Sequence, residues 1–191
     1  MPVGLSYRDR VRGSLLGGAV GDALGAPIEF DSLAQIKQRF GPDGLTDCAP
    51  AYGRLGAITD DTQMTLFTGE GVIRAHNRFL NKGLSHVPTV VHHAYLRWLK
   101  TQGEPVPEVE LPSSTLLDGW LGFVPDLQAR RAPGNTCIAA LRGGRLGSIE
   151  EPLNQSKGCG GVMRIAPVGL AVGMDDPFQA GAEIAAITHG H

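Results

Sequence analysis

The run Thr59-Asp60-Asp61-Thr62 sets two carboxylates side by side between two hydroxyls. Like charges this close repel, and they need water, a cation or a helix terminus beside them. Oxygen donors of this hardness suit magnesium, manganese or calcium better than zinc. Placed at a helix start, the same acids would also answer the unpaired N–H groups and the positive end of the dipole. Both readings fit the run taken alone.

Three further groups carry chemistry. Glu29 follows Pro27 at the end of a glycine-rich segment, where a carboxylate is either solvated or catalytic. The turn Gly158-Cys159-Gly160-Gly161 precedes an apolar stretch and Arg164. Successive glycines ahead of a helix can turn N–H groups toward an anion, phosphate above all, or can simply make a tight turn. The turn matches neither GxGxxG nor GxxxxGK[ST]. The fourth group is Thr188-His189-Gly190-His191. Its histidines are two apart, not the four that a helical zinc pair requires, and a helix C-terminus would also favour them. Cys159 has no evident base partner, which argues against a cysteine nucleophile. His92-His93 are adjacent, face different directions and read as non-catalytic.

These groups need helices to position them. Gly13, Gly17, Gly21 and Gly25 recur every four residues in Val11 to Gly25, with Leu15, Leu16, Ala19, Val20, Ala23 and Leu24 between. Glycine weakens a helix, so the stripe predicts close backbone contact with a second helix. Asp22 inside the segment, and its shortness, argue against a membrane seam. Asp60 to Ala75 is the next predicted helix, followed by Pro88 to Lys100 with the stripe Val91, Ala94, Tyr95 and Trp98. Thr101 to Pro112 reads as an exposed excursion. Asn135 to Leu141 predicts a short helix stopped by Gly143-Gly144. Another helix is expected after the glycine turn through Leu170 and Val172. Asp176-Pro177 opens a last one, which runs through Ile184 and Ile187 to the end of the chain. No segment alternates as a strand should. The class is all-α, a compact helical bundle with long loops.

The chain has 191 residues, 42% of them hydrophobic, which suits one domain with a sizeable core. A net charge of −2 gives no basic surface for nucleic acid or membrane. Three irregularly spaced cysteines, with no CxxC pair, suggest neither a disulfide framework nor a zinc ribbon. Met1 to Arg12 lacks signal-peptide character, so a reducing, cytoplasmic setting is expected. The last helix keeps its apolar face to His191, which leads to the expectation of a truncated domain.

Taken together, these residues resemble the ADP-ribosylglycohydrolase family. The segment Arg12-Gly13-Ser14-Leu15-Leu16-Gly17-Gly18-Ala19-Val20-Gly21-Asp22-Ala23-Leu24-Gly25-Ala26-Pro27-Ile28-Glu29 looks like its opening helix and glutamate. Thr59-Asp60-Asp61-Thr62-Gln63-Met64 looks like its first metal motif, and Pro133-Gly134-Asn135-Thr136-Cys137 resembles a segment of its bacterial members. Lys157 to Pro167 is similar to its ribose-phosphate loop, and Thr188-His189-Gly190-His191 to its Thr-His-x-His segment.

The resemblance implies an all-α orthogonal bundle with two magnesium or manganese ions. It implies cleavage of the glycosidic bond between ADP-ribose and a protein or small-molecule acceptor. Thr59, Asp60 and Asp61 would be metal ligands. Glu29 and Asp61 would be catalytic, Glu29 as ligand or as acid/base. Gly158, Cys159, Gly160, Gly161, Met163 and His189 would bind ADP-ribose. One departure stands out: the family's second metal motif, Asp-x-Asp-Ser/Thr, has no counterpart, and Asp175-Asp176-Pro177 reads as a helix cap. The 191-residue chain alone is therefore expected to bind cations weakly and to be inactive. The alternatives are a non-catalytic ADP-ribose-binding module and a magnesium phosphohydrolase.

Overall fold

The structure, a computed structural model, describes residues 4–109 and 111–191. The described residues form eight α-helices and one two-stranded hairpin, an all-α architecture. Helix α1 spans Tyr7–Gly25, α2 Leu33–Phe40, α3 Asp60–Lys82 and α4 Val87–Thr101. The short α5 (Ser113–Leu116) precedes two 3-10 turns, and α6 (Asn135–Arg142), α7 (Ala166–Gly169) and α8 (Pro177–Ala186) complete the chain. Among the described residues no helix is long and apolar enough to cross a membrane.

The core is α4, wrapped by α3, α6 and α8. Tyr95, Leu96, Trp98 and Leu99 of α4 have no solvent exposure, so this helix is apolar around most of its girth. The predicted stripe of Val91, Ala94, Tyr95 and Trp98 is therefore only its most regular part. Met64 and Phe67 of α3, Cys137 and Leu141 of α6, and Ile184 of α8 close around it. Glu70 and Arg97 add a buried ion pair of 3.0 Å between α3 and α4.

The glycine stripe of α1 does something other than expected. A Cβ built on Gly13, Gly17, Gly21 or Gly25 would meet nothing within 4 Å. The reason is helical phase. The better-covered positions are Val11, Leu15, Ala19 and Ala23. They lie two residues from the glycines, about 200° around the axis at roughly 100° per residue. The glycine that permits close helix contact is instead Gly71 of α3, where a Cβ would fall 2.8 Å from the Val91 backbone.

Other elements also depart from expectation. Helix α3 continues past Ala75 to Lys82 and ends on Gly83 in the left-handed conformation. Helix α2 arises where the sequence reading assigned no element, and it is held by a capping box between Ser32 and Gln35. A hairpin pairs Pro50–Ala51 (β1) with Arg54–Leu55 (β2) where no strand was expected. Its central residues, Tyr52 and Gly53, both have positive φ (50° and 77°), the turn geometry that matches strand twist. Helix α7 is only four residues long and stops before Val172, with the Tyr7 hydroxyl donating to the Leu170 carbonyl at its end. Helix α8 starts on the Asp176 cap as predicted but ends at Ala186, so Thr188 to His191 are not helical. Thr101, Gln102 and Glu104 are buried, and only part of the supposed excursion is exposed; Glu110 lies outside the described residues, as do residues 1–3.

The two kinds of glycine make a paired prediction. Gly71→Ala should cost about 1–3 kcal/mol, because α4 must move. Gly17→Ala should be neutral or gain up to about 1 kcal/mol from helix propensity. Urea denaturation of both variants checks the pair.

Candidate functional site

The site begins with the side chain of Asp22. It leaves the last turn of α1 and accepts from the Thr59 N–H (2.8 Å) and the Thr59 hydroxyl (2.7 Å). It also accepts from the N–H and hydroxyl of Thr62. Helix α3 is thus capped twice, by its own Thr59 and by an acid from another helix. The sequence reading passed over Asp22, using it only against a membrane seam. The signal available was a lone charge within an otherwise uncharged stretch of a small-residue helix.

The first turn of α3 then presents its acids. Asp61 lines a cavity of about 630 Å³ with Asp22, Glu29, Thr59, Cys159 and Met163. Asp60 is turned away from that wall: its carboxylate accepts from Gly134 N–H (3.1 Å), while its own N–H donates to the Arg131 carbonyl (3.2 Å). The loop that grips it includes Ala132 at φ 46°, a left-handed conformation unusual for alanine.

No basic side chain makes an ion pair with Asp22, Glu29, Asp60 or Asp61 among the described residues. The consequences are electrostatic. Asp60 is pushed up to about 7, chiefly by burial, against the opposing Gly134 N–H and with help from Asp61 and Glu29. Asp61 is raised by burial and then by Asp22, against the Thr59 hydroxyl. Glu29, on the exposed turn after α1, is raised by partial burial, Asp61 and Asp22.

These residues meet part of what a hard cation needs. The donors are all oxygen, their charge is uncompensated, and Thr59 can donate its proton to Asp22 and keep a lone pair for a metal. The number of ligands falls short. Among the described residues no group of three or more His, Cys, Asp or Glu side chains is arranged to hold an ion.

The glycine turn lies beside the acids. Residues Cys159–Gly161 form a single 3-10 turn, closed by the Val162 and Met163 N–H groups on the Cys159 carbonyl. Cys159 and Met163 face the acidic cavity. Gly158, Gly160 and Gly161 instead cover His189, and a Cβ on Gly160 would lie 2.8 Å from both the His189 ring and Cys137 Sγ. Gly160 is required by this close approach, whatever binds above it. His92, by contrast, is buried in α4 and pushed down to about 4 by burial and then by His93.

The cavity thus sets three carboxylates and the Thr59 hydroxyl into a largely apolar wall at the start of the longest helix. The chain belongs to the ADP-ribosylglycohydrolase family, whose pattern it matches over residues 4–191. It is 37% identical over 100 residues to the ADP-ribosyl-[dinitrogen reductase] glycohydrolase of Rhodospirillum rubrum, an alignment covering 52% of this chain and 31% of that protein. It is 40% identical over 68 residues to an uncharacterized protein of Archaeoglobus fulgidus, covering 34% of this chain and 22% of that protein. The alignments thus span less than a third of the length of either relative.

Two outcomes follow from the geometry. Asp22→Ala strands the Thr59 and Thr62 donors and should cost about 2–3 kcal/mol, measured by urea denaturation. Asp60→Asn should stabilise the metal-free chain at pH 8. A folded value of about 7 against 3.8 unfolded means that ionised Asp60 opposes folding, and that wild-type stability recovers as pH falls through 7 toward 3.8. The gain in thermal midpoint should therefore shrink over that window. His92 acts oppositely, losing stability from 6.5 down to about 4, but it is common to both proteins and cancels in the difference.

Proposed function

We propose that this chain carries part of a metal-dependent hydrolase that cleaves the glycosidic bond between ADP-ribose and a modified acceptor. The observation that carries this reading is the convergence of Glu29, Thr59, Asp61, Cys159 and Met163 on one cavity, with no basic side chain to neutralise the acids. Thr59 and Asp61 are the cavity-facing residues that would hold magnesium or manganese, with Asp60 joining through the carboxylate oxygen that Gly134 does not occupy. Water, substrate or further protein would complete the shell. When bound, such an ion would orient a ribose hydroxyl and acidify a water.

The chain's own groups account for the remaining steps. A raised carboxyl at Glu29 retains its proton nearer to neutrality, as an acid/base group needs. Glu29 would donate that proton to the leaving nitrogen or oxygen as the bond to the anomeric carbon breaks, or take one from the incoming water. The carboxylate of Asp61 would stabilise the oxocarbenium-like charge on the sugar ring. Gly158 to Gly161 and Met163 would hold the diphosphate and ribose beside it, with His189 beneath. The partner is then an ADP-ribosylated protein or small molecule.

A second reading is favoured by one fact, the absence of a three-ligand cluster among the described residues. In that reading the chain binds ADP-ribose without turnover. Incubation with ADP-ribosyl-arginine and ADP-ribosyl-serine peptides, with manganese or EDTA, separates the two. Manganese-dependent release of free ADP-ribose is expected for the hydrolase, and binding without release for the module. Where release occurs, Glu29→Gln should lower kcat by about 10²–10⁴-fold with the thermal midpoint unchanged.

A further inference from the structure

Arg164 is fully buried, yet none of its partners among the described residues is a carboxylate. One Nη donates to the Thr188 hydroxyl (2.7 Å) and the Ile184 carbonyl (3.3 Å). The other lies 3.6 Å from both Met64 Sδ and Cys137 Sγ, and the guanidinium carbon sits 4.2 Å above the Tyr95 ring. Its Nε has no partner among the described residues. Soft sulfur and ring contacts repay the desolvation of a guanidinium poorly, so the sequence retains an expensive cation. The position of that cation explains what it does.

Its one strong contact, Thr188 Oγ1, lies 2.9 Å from Nδ1 of His189. A guanidinium only donates, so Thr188 must accept from Arg164 and keep its own proton to give. The acceptors in reach of that proton are His189 Nδ1 and Cys137 Sγ. Sulfur is the weaker acceptor, which favours Nδ1. With the Thr188 proton given to it, Nδ1 is bare and the ring hydrogen sits on Nε2. That nitrogen makes no hydrogen bond in the described structure and lies against the turn, 3.4 Å and 3.1 Å from the Cβ positions of Gly158 and Gly160. Burial, and then the charge of Arg164, also lower the His189 pKa.

We infer that Arg164 is a positioning residue that acts through Thr188 to fix His189 as a neutral Nε2–H donor facing the Gly158–Gly161 turn, available to an anionic oxygen of a ligand held at that turn. His189 in this state donates a hydrogen bond and cannot serve as a general base through Nδ1. The ligand half of the inference rests on the reading of the turn as an ADP-ribose site. The relay half does not.

Replacing Arg164 would empty a packed core position and confound the result with unfolding, so the test cuts the relay one bond further on. Thr188→Val removes the hydroxyl at nearly constant volume, and Thr188→Ser retains it. Long-range proton–nitrogen spectra of the labelled chain, with His189→Gln to assign the ring, report the tautomer directly. Nε2–H is expected in wild type and Thr188→Ser, and a mixed population in Thr188→Val. Nδ1–H in wild type, or an unchanged tautomer in Thr188→Val, would overturn the relay. Calorimetric titration with ADP-ribose then tests the ligand half: about tenfold weaker binding is expected in Thr188→Val, with recovery in Thr188→Ser. Equal binding by all three proteins overturns the proposed role in recognition. Failure of wild type to bind ADP-ribose, with the tautomer as expected, overturns the ligand reading of the turn and leaves the relay standing.

Discussion

The carboxylate of Asp22 is the interaction on which the site depends. It is the acceptor for both N–H groups and both hydroxyls of Thr59 and Thr62, and so it fastens the end of α1 to the start of α3. Three consequences follow from one side chain. Orphan donors at the helix terminus are satisfied. The threonine hydroxyls receive a fixed orientation. Asp61 and Glu29, on opposite sides of the joint, are brought to one cavity wall. Most of α1 is otherwise poorly covered, with Leu16 61% exposed and Val20 57% exposed, so packing contributes less to its placement than this polar joint does.

The helices were legible where periodicity, caps and breakers agreed. Asp176-Pro177 opens α8, Gly143 closes α6, and Val91, Ala94, Tyr95 and Trp98 mark the buried face of α4. Less was legible where a local pattern had two physical causes. A four-residue glycine repeat is compatible with a tight helix seam and with a smooth open face, and only the phase of the neighbouring apolar residues separates them. In α1 that phase leaves the glycines out of direct contact with α3, and Gly21 and Gly25 line the cavity that α3 also lines. The capping box of Ser32 and Gln35 was a readable signal left unused. The Tyr7 hydroxyl on the Leu170 carbonyl at the end of α7 was not readable, because Tyr7 lies more than 160 residues away in sequence.

The same distinction applies to the site. Thr59, Asp60 and Asp61 stand out by type and spacing, but which acid faces the cavity is a tertiary matter. Asp60 is withdrawn because the loop of Arg131 to Gly134 supplies both a carbonyl and an N–H to it. Nothing within three residues of Asp60 foretells that loop. Asp22 was hidden for a related reason: its four partners lie about 40 residues further along the chain. Arg164 was visible, but its burial was not, and its burial without a carboxylate partner is what gives it meaning.

Charge is therefore distributed in two poles. On one side Asp22, Glu29, Asp60 and Asp61 gather without a basic partner, and burial together with mutual repulsion raises the carboxyl values of the last three. Behind the glycine turn lies the buried cation of Arg164, joined to His189 through Thr188. A ligand that spans both poles needs an anionic portion near the turn and a centre near the acids that becomes positive as it reacts. A sugar attached to a diphosphate meets both: its phosphates suit donors at the turn, and its anomeric carbon gains positive charge as the glycosidic bond breaks. The two poles thus suit the glycosidic cleavage proposed for the site.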